Sequence, residues 1–393
     1  MTKPQKKHSR LFVKYSPHGQ TAFFPKALGH KALGLAWPIF LVAALALFLV
    51  SCGDSQQGAS KSSASGQPLE IILVPKVTGN AFFEAANDGA QKYAAKHGFK
   101  VVYRGSDVAS VDKQIEIIQK AIDEKAQALS ISALDAKALD QVLKAAQKSG
   151  MIVTTWDSDV SPDARKLMVS QGTPSQLGKM LVEMASKSLL KRGKDPSKEA
   201  IKYAWHYSQA SVADQNSWYK AGEEYIKQTY PQWINLNPQN YYSQQDPVKA
   251  LEVGKTILEE HPDIDAIICN DSTSLPGQAQ ALRELDKNAQ DITVTGFASP
   301  NAMKEFAREG IIDRWGLWDC QDQAAISVYL TWYLASGQSV KTGQTLDIPE
   351  IGLVEIMPNS VLDPEAENLP GTGVVLMPNR TEFTTQNMDN YDF

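Results

Sequence analysis

The chain has 393 residues, with 39 lysines and arginines against 44 aspartates and glutamates and a net charge of −5, so nucleic-acid binding has no basic surplus to rest on. Three cysteines exclude a disulfide-dense scaffold. The six histidines (His8, His18, His30, His97, His206 and His261) show no ligand spacing, so neither a metal site nor another cofactor is expected.

The N-terminus carries Lys3, Lys6, Lys7, Arg10, Lys14, Lys26 and Lys31 before the first acidic residue, Asp54. An apolar run from Ala32 to Val50, interrupted by Pro38, ends in Leu49-Val50-Ser51-Cys52. A basic segment, an apolar segment and small residues before a cysteine predict a lipoprotein signal peptide over 1–51, with lipidation at Cys52. An uncleaved anchor is the alternative, since a run of about 19 apolar residues can span a bilayer with tilt. Residues 52–67, rich in Ser, Gly, Gln and Ala, read as a flexible tether holding the protein at a membrane surface. Losing the seven positive charges of the signal takes the net charge from −5 to −12, an acidic balance that favours solubility.

Beyond the tether about 325 residues remain, enough for two domains. Leu69–Val74 is an apolar strand run, followed by a helix over Asn80–His97 that Gly98 stops. The alternation continues with strand Val101–Tyr103, helix Val111–Glu124, strand Ala128–Ile131, helix Ala136–Lys148 and strand Ile152–Thr154. After Asp163 it restarts: helix Pro174–Lys191, strand Ile201–Trp205, helix Val212–Gln228 and a strand near Trp233-Ile234. Helix Val248–Glu260, strand Ile264–Cys269, helix Leu275–Leu285 and strand Ile292–Val294 complete the series. Short apolar strands alternating with amphipathic helices predict an α/β protein of two lobes, each a parallel sheet flanked by helices. The lobes are expected at 68–158 plus 297–319 and at 159–296 plus 320–393, with hinges near Asp159, Ser299 and Asp319. Cys269 and Cys320 allow a bridge in an oxidising compartment, with buried free thiols as the alternative.

Ligands of open parallel sheets lie beyond the carboxyl ends of the strands. That rule selects Lys76, Asp157, Asp159, Asp214, Gln215, Asn270, Asp271 and Ser272. Each has an ordinary reading as well: a solvated lysine, turn aspartates at 157 and 159, and a helix-start aspartate at 214. Phe82, Phe83, Trp156 and Trp318 are candidates for apolar ligand faces, with a place in the core as the alternative. Ionised aspartates accept from hydroxyls while lysine and glutamine donate, so the set suits a small polyhydroxylated ligand. The chain lacks Gly-x-Ser-x-Gly, a phosphate-binding Gly-Lys-Ser/Thr loop and a Cys/His pair, which argues against an enzyme. The signal and tether occupy the place where a regulator would carry its DNA-binding domain.

Several stretches carry a resemblance: LVPKVTGNAFF (Leu73 to Phe83), TWDSD (Thr155 to Asp159), VADQNSW (Val212 to Trp218), PDIDAIICNDSTSLP (Pro262 to Pro276) and RWGLWD (Arg314 to Asp319). With them the chain, from about Leu69 to Phe393, resembles the type I periplasmic sugar-binding proteins, in particular the Lsr-type autoinducer-2 binding branch beside its rhamnose-binding neighbours. The resemblance implies a monomeric extracytoplasmic binding component of an ABC importer that closes on its ligand and delivers it to a permease. It also implies that Lys76, Asp157, Asp214 and Gln215 contact the ligand. The family's Pro-Asp-Ala turn reads here Asn270-Asp271-Ser272, a departure at the pocket that puts the hydroxyl pattern recognised in question and leaves rhamnose or another monosaccharide as the alternative ligand.

Overall fold

The computed structural model describes residues 68–393; the signal peptide over 1–51, the Cys52 lipidation and the tether over 52–67 lie outside the described residues. The chain runs β1 (Glu70–Val74), α1 (Ala81–His97), β2 (Lys100–Tyr103), α2 (Val111–Asp123), β3 (Ala128–Ile131), α3 (Ala136–Lys148), β4 (Ile152–Trp156) and β5 (Leu167–Ser170). It continues with α4 (Pro174–Lys191), β6 (Lys202–Tyr207), α5 (Ala213–Thr229), β7 (Ile234–Asn235), β8 (Tyr241–Tyr242), α6 (Pro247–Glu260), β9 (Ala266–Cys269) and α7 (Ser274–Glu284). Then come β10 (Thr293–Gly296), α8 (Pro300–Arg308), β11 (Trp315–Leu317), α9 (Cys320–Ala335), β12 (Thr345–Ile348), β13 (Gly352–Glu355), β14 (Gly373–Leu376) and β15 (Thr381–Phe383).

Two parallel sheets result, ordered β14-β5-β4-β3-β1-β2 and β10-β9-β6-β7, with β8 also pairing β6. The interior strands β3, β5 and β9 and the edge strand β10 are buried along their whole length, as expected of strands covered by helices on both faces. Capping fixes the helix starts: Asn80 accepts from Phe82 N, Asp135 from Lys137 N and Ala138 N, and Thr173 forms a capping box with Gln176. At the end of β10 a Cβ on Gly296 would stand 1.7 Å from the Cys269 carbonyl oxygen. Only glycine lets the ends of β9 and β10 lie that close, side by side at the edge of the cleft.

Sheet membership redraws the expected lobes. β5 and β14 belong to the first sheet, and α9 packs on α1 and under β3, β4 and β5. Buried hydroxyl pairs Ser130–Ser327 (2.7 Å) and Thr154–Thr331 (2.6 Å) tie α9 to β3 and β4. Conversely, β10, α8 and β11 contact the second sheet and its helix α7. The assignment of 297–319 to the first lobe and of 320–376 to the second is therefore corrected, while residues 381–393, whose β15 pairs β11, stay with the second lobe as expected. Residues 159–170 belong to the first lobe.

The chain passes between the sheets at residues 171–173, 318–319 and 377–380. Of the expected hinge positions only Asp319 lies at a crossing. Arg380 joins the outer two by donating to the carbonyls of Gln171 (2.8 Å) and Met377 (3.1 Å). Gln323 ties in the middle one, accepting from Trp318 Nε1 (2.6 Å) and donating to Gln171 Oε1 (3.1 Å). Cys269 and Cys320 are both buried free thiols, so the bridge does not form. Among the described residues no helix is long and apolar enough to cross a membrane.

Candidate ligand-binding site

Lys76 follows β1, and its loop is held by Gln114 of α2, which donates to the carbonyls of Pro75 (2.9 Å) and Ser132 (2.8 Å) and accepts from Leu134 N (3.0 Å). One buried side chain thus fixes the ends of β1 and β3 together. Asp157 ends β4 with φ of 60°, a left-handed conformation that short polar side chains tolerate better than others. There its carboxylate accepts from Lys76 Nζ (2.8 Å) and Ser132 Oγ (2.6 Å). All of these groups come from the first lobe.

The second lobe supplies Asp214 and Gln215 in the first turn of α5, where the helix dipole favours negative charge. Asp214 lies 3.8 Å from Lys76 Nζ and accepts hydrogen bonds from Ser158 Oγ and Gln171 Nε2 (3.4 Å), so the two lobes touch directly and the cleft is closed. Gln215 accepts from the backbone N–H (3.3 Å) and hydroxyl of Ser208, which leaves its amide nitrogen for a ligand. Asn270 donates to the Gln215 carbonyl at 2.7 Å. Asn270 Oδ1 and Asp271 Oδ2 are buried acceptors without a partner among the described residues.

These groups surround a narrow cavity of about 20 Å³ lined by Lys76, Asp157, Asp214, Gln215, Asn270, Asp271 and Ser272. That is room for about one water and far below the ~300–1,000 Å³ of small-molecule sites, so the closed cleft has to open for a ligand to enter. Phe82 and Phe83 from α1 and Trp218, Phe297 and Trp318 form its apolar walls. Trp318 makes edge contacts with Phe82 (5.7 Å between centroids), Trp218 (5.9 Å) and Phe297 (5.6 Å).

Two sequence candidates lie elsewhere. Trp156 is fully buried behind the wall, parallel to Phe82 and edge-on to Phe83, because the last residue of β4 faces the core. Asp159 points away from the cavity to Arg165, which donates from Nε (2.9 Å) and Nη2 (2.7 Å). Four lining residues were not anticipated: Trp218, Gln245, Phe297 and Leu317. Phe297 directly follows β10, so the end-of-strand rule reaches it, and Trp218 is four residues after Asp214 on the same helix face. Gln245, at φ of 60°, follows the two-residue strand β8, which leaves no sequence signal.

Burial alone would lower the Lys76 pKa, but the charges of Asp157 and Asp214 and the hydrogen bond to Asp157 outweigh it and hold the ammonium above the ordinary lysine value. Burial pushes Asp214 up to about 6, with Lys76 opposing and Asp157 reinforcing the shift. Asp271 is also raised by burial, against the hydrogen bonds from Ser274. Three carboxyls facing one ammonium leave a surplus of acceptors and negative charge, an environment that takes neutral hydroxyl donors and repels anions.

A pH dependence follows. Ligand hydroxyls donate to the ionised form of Asp214, so the complex holds that carboxyl at a lower pKa than the empty site does. Affinity is complete above about 6 and weakens as pH falls through it, by at most about tenfold per unit. Calorimetry at pH about 7.5 and about 5 should show the loss, and Asp214→Asn should remove the pH dependence. Equal affinities at the two pH values in the parent would contradict this role. For the empty closed protein the sign is opposite: a raised folded-state pKa makes stability rise as pH falls from about 6 toward the unfolded value.

A parallel two-lobed α/β architecture with a cavity between the lobes lined by carboxyls and an ammonium is that of a solute receptor. Residues 71–339 match the periplasmic binding protein domain family, and the chain belongs to it. It is a solute-binding protein and not an enzyme. It is similar to the solved structure of LsrB from Clostridium saccharobutylicum in complex with AI-2, at 56% identity and a TM-score of 0.82 over 83% of this chain and all of that one. The resemblance expected from the motifs is thereby borne out. An ABC transporter solute-binding protein from Clostridium phytofermentas with bound L-rhamnose shares the fold, at 18% identity and a TM-score of 0.72 over 83% of this chain and 98% of that one. Among curated relatives, the D-ribose/D-allose-binding protein of Pseudomonas aeruginosa is 24% identical over 302 residues, 75% of this chain and 91% of its own.

Proposed function

We propose that this protein is the lipid-anchored, extracytoplasmic receptor of an ABC importer for autoinducer-2 in its boron-free tetrahydroxy-furan form. The observation that carries the reading is its 56% identity to a structure holding AI-2, combined with the meeting of Lys76, Asp157, Asp214 and Gln215 from both lobes around one small cavity. A ligand bridging those groups stabilises the closed cleft, and the closed form docks on the permease. Cys52 anchors the receptor near that partner. At a dissociation constant of about 1 μM the binding free energy is about −8.2 kcal/mol. Over about ten ligand heavy atoms this is roughly −0.8 kcal/mol each, within the ceiling for small ligands if nearly every hydroxyl is paired.

The departure at Asn270-Asp271-Ser272 favours one second reading, a receptor for rhamnose or another monosaccharide. Calorimetry of the purified protein against boron-free autoinducer-2, rhamnose and ribose separates the two. Autoinducer-2 is expected to bind at about micromolar strength or better, with the sugars at least about tenfold weaker. Silence with autoinducer-2 and heat with rhamnose would move the protein to the sugar reading.

A further inference from the structure

Besides the contacts at Asp214, the lobes are joined at a second place, on the opposite lip of the cavity. Ser272 Oγ donates to Asn80 Oδ1 (3.2 Å), and Asn80 Nδ2 donates to Thr273 Oγ1 (3.2 Å). Asn80 belongs to the first lobe, where the same Oδ1 caps α1 by accepting from Phe82 N at 3.0 Å; Ser272 and Thr273 lead into α7 of the second. We propose that the bond from Asn80 to Thr273 is a latch that sets ligand affinity by stabilising the closed cleft, without reading the ligand.

The chemistry separates this contact from the others across the cleft. The bonds to Asp214 use a carboxylate that lines the cavity, so an arriving ligand competes with them. Asn80 and Thr273 do not line the cavity, and their bond is compatible with an occupied site. The new side chains of the Asn270-Asp271-Ser272 turn are engaged within the protein: the Asn270 amide holds the Gln215 carbonyl, and the Ser272 hydroxyl reaches across to Asn80. Once the cleft closes these two donors are taken, so the turn adds to closure, while Asn270 Oδ1 keeps no partner and remains an acceptor at the cavity. Because apparent affinity scales with the population of the binding-competent form, a contact made only on closure raises the affinity for every ligand by one common factor.

The inference rests on the reading of the protein as a receptor that closes. Two variants test it: Thr273→Val removes the hydroxyl that accepts from Asn80 at a residue outside the cavity lining, and Asn80→Ser keeps a capping side chain for α1 but is too short to span the cleft. Each is expected to weaken binding of autoinducer-2 by about three- to tenfold, the size of one or two net hydrogen bonds, and to weaken rhamnose or ribose, where these bind, by the same factor. Affinities within about twofold of the parent, or a changed ratio between ligands, overturn the latch. If the parent takes up none of the three probes, the ligand assignment fails separately. The latch is then decided by scattering from the ligand-free protein, where the double variant must have a larger radius of gyration than the parent and an equal one overturns it.

Discussion

Replacing Asp157 by alanine is expected to abolish ligand binding and also to destabilise the empty protein by ~3–5 kcal/mol, the loss typical of breaking a buried ion pair. Lys76 and Asp157 are 3% and 4% exposed. Both come from the first lobe, so their 2.8 Å bond persists whether the cleft is open or closed. Without the carboxylate the ammonium keeps only Asp214, 3.8 Å away on the other lobe, and the alanine sits in a left-handed conformation that disfavours it by roughly 1 kcal/mol more. Burial of the pair gives Asp157 a structural role beside the binding role proposed for it. A urea titration measures the loss, and calorimetry measures binding. Converting the pair together, Lys76→Met with Asp157→Leu, should recover most of the stability and none of the binding. An Asp157→Ala protein with the parent's unfolding midpoint would contradict the account.

The opposite result is expected two residues on. Asp159→Ala should lower stability by ~3 kcal/mol and leave the affinity of the folded protein unchanged. Its carboxylate grips both Nε and Nη2 of Arg165, which is 2% exposed and also donates to Asn359 Oδ1 (2.8 Å) and the Gly373 carbonyl (3.0 Å). That guanidinium fastens the segment between β4 and β5 to β14 and the loop before it. Removing Asp159 strands a buried cation where nothing touches the ligand cavity. Unfolding midpoint and calorimetric affinity read the two effects separately. A variant that unfolds like the parent but no longer binds would return Asp159 to the site.

The pair also marks how far sequence reading reaches here. Apart from β5 and β8, which it misses, the strand and helix alternation is legible through β10 because most parallel strands are short apolar runs and the covering helices have an apolar face. Strand ends then bring Lys76, Asp157, Gln215 and Asn270 together. What is lost depends on contacts distant in the chain. β5 is recognisable as a lobe-one strand only once β14 pairs with it some 200 residues later. α9 is buried nearly all round, between α1 and the sheet, so its sequence has no amphipathic stripe to announce it. Which of two turn aspartates faces the cavity is decided by the left-handed backbone at Asp157 and by a buried arginine. Neither can be read from the spacing Asp-Ser-Asp.

The central claim is that a small polyol joins the two lobes through Lys76, Asp157, Asp214 and Gln215. Small-angle scattering of the protein with and without boron-free autoinducer-2, at concentrations where calorimetry verifies saturation, tests it most directly. A radius of gyration that falls on adding the ligand in the parent, and does not fall in Asp214→Asn, is the predicted result. Saturating heat with no change in the parent's radius of gyration would mean that the ligand binds without bridging the lobes, and would contradict the account.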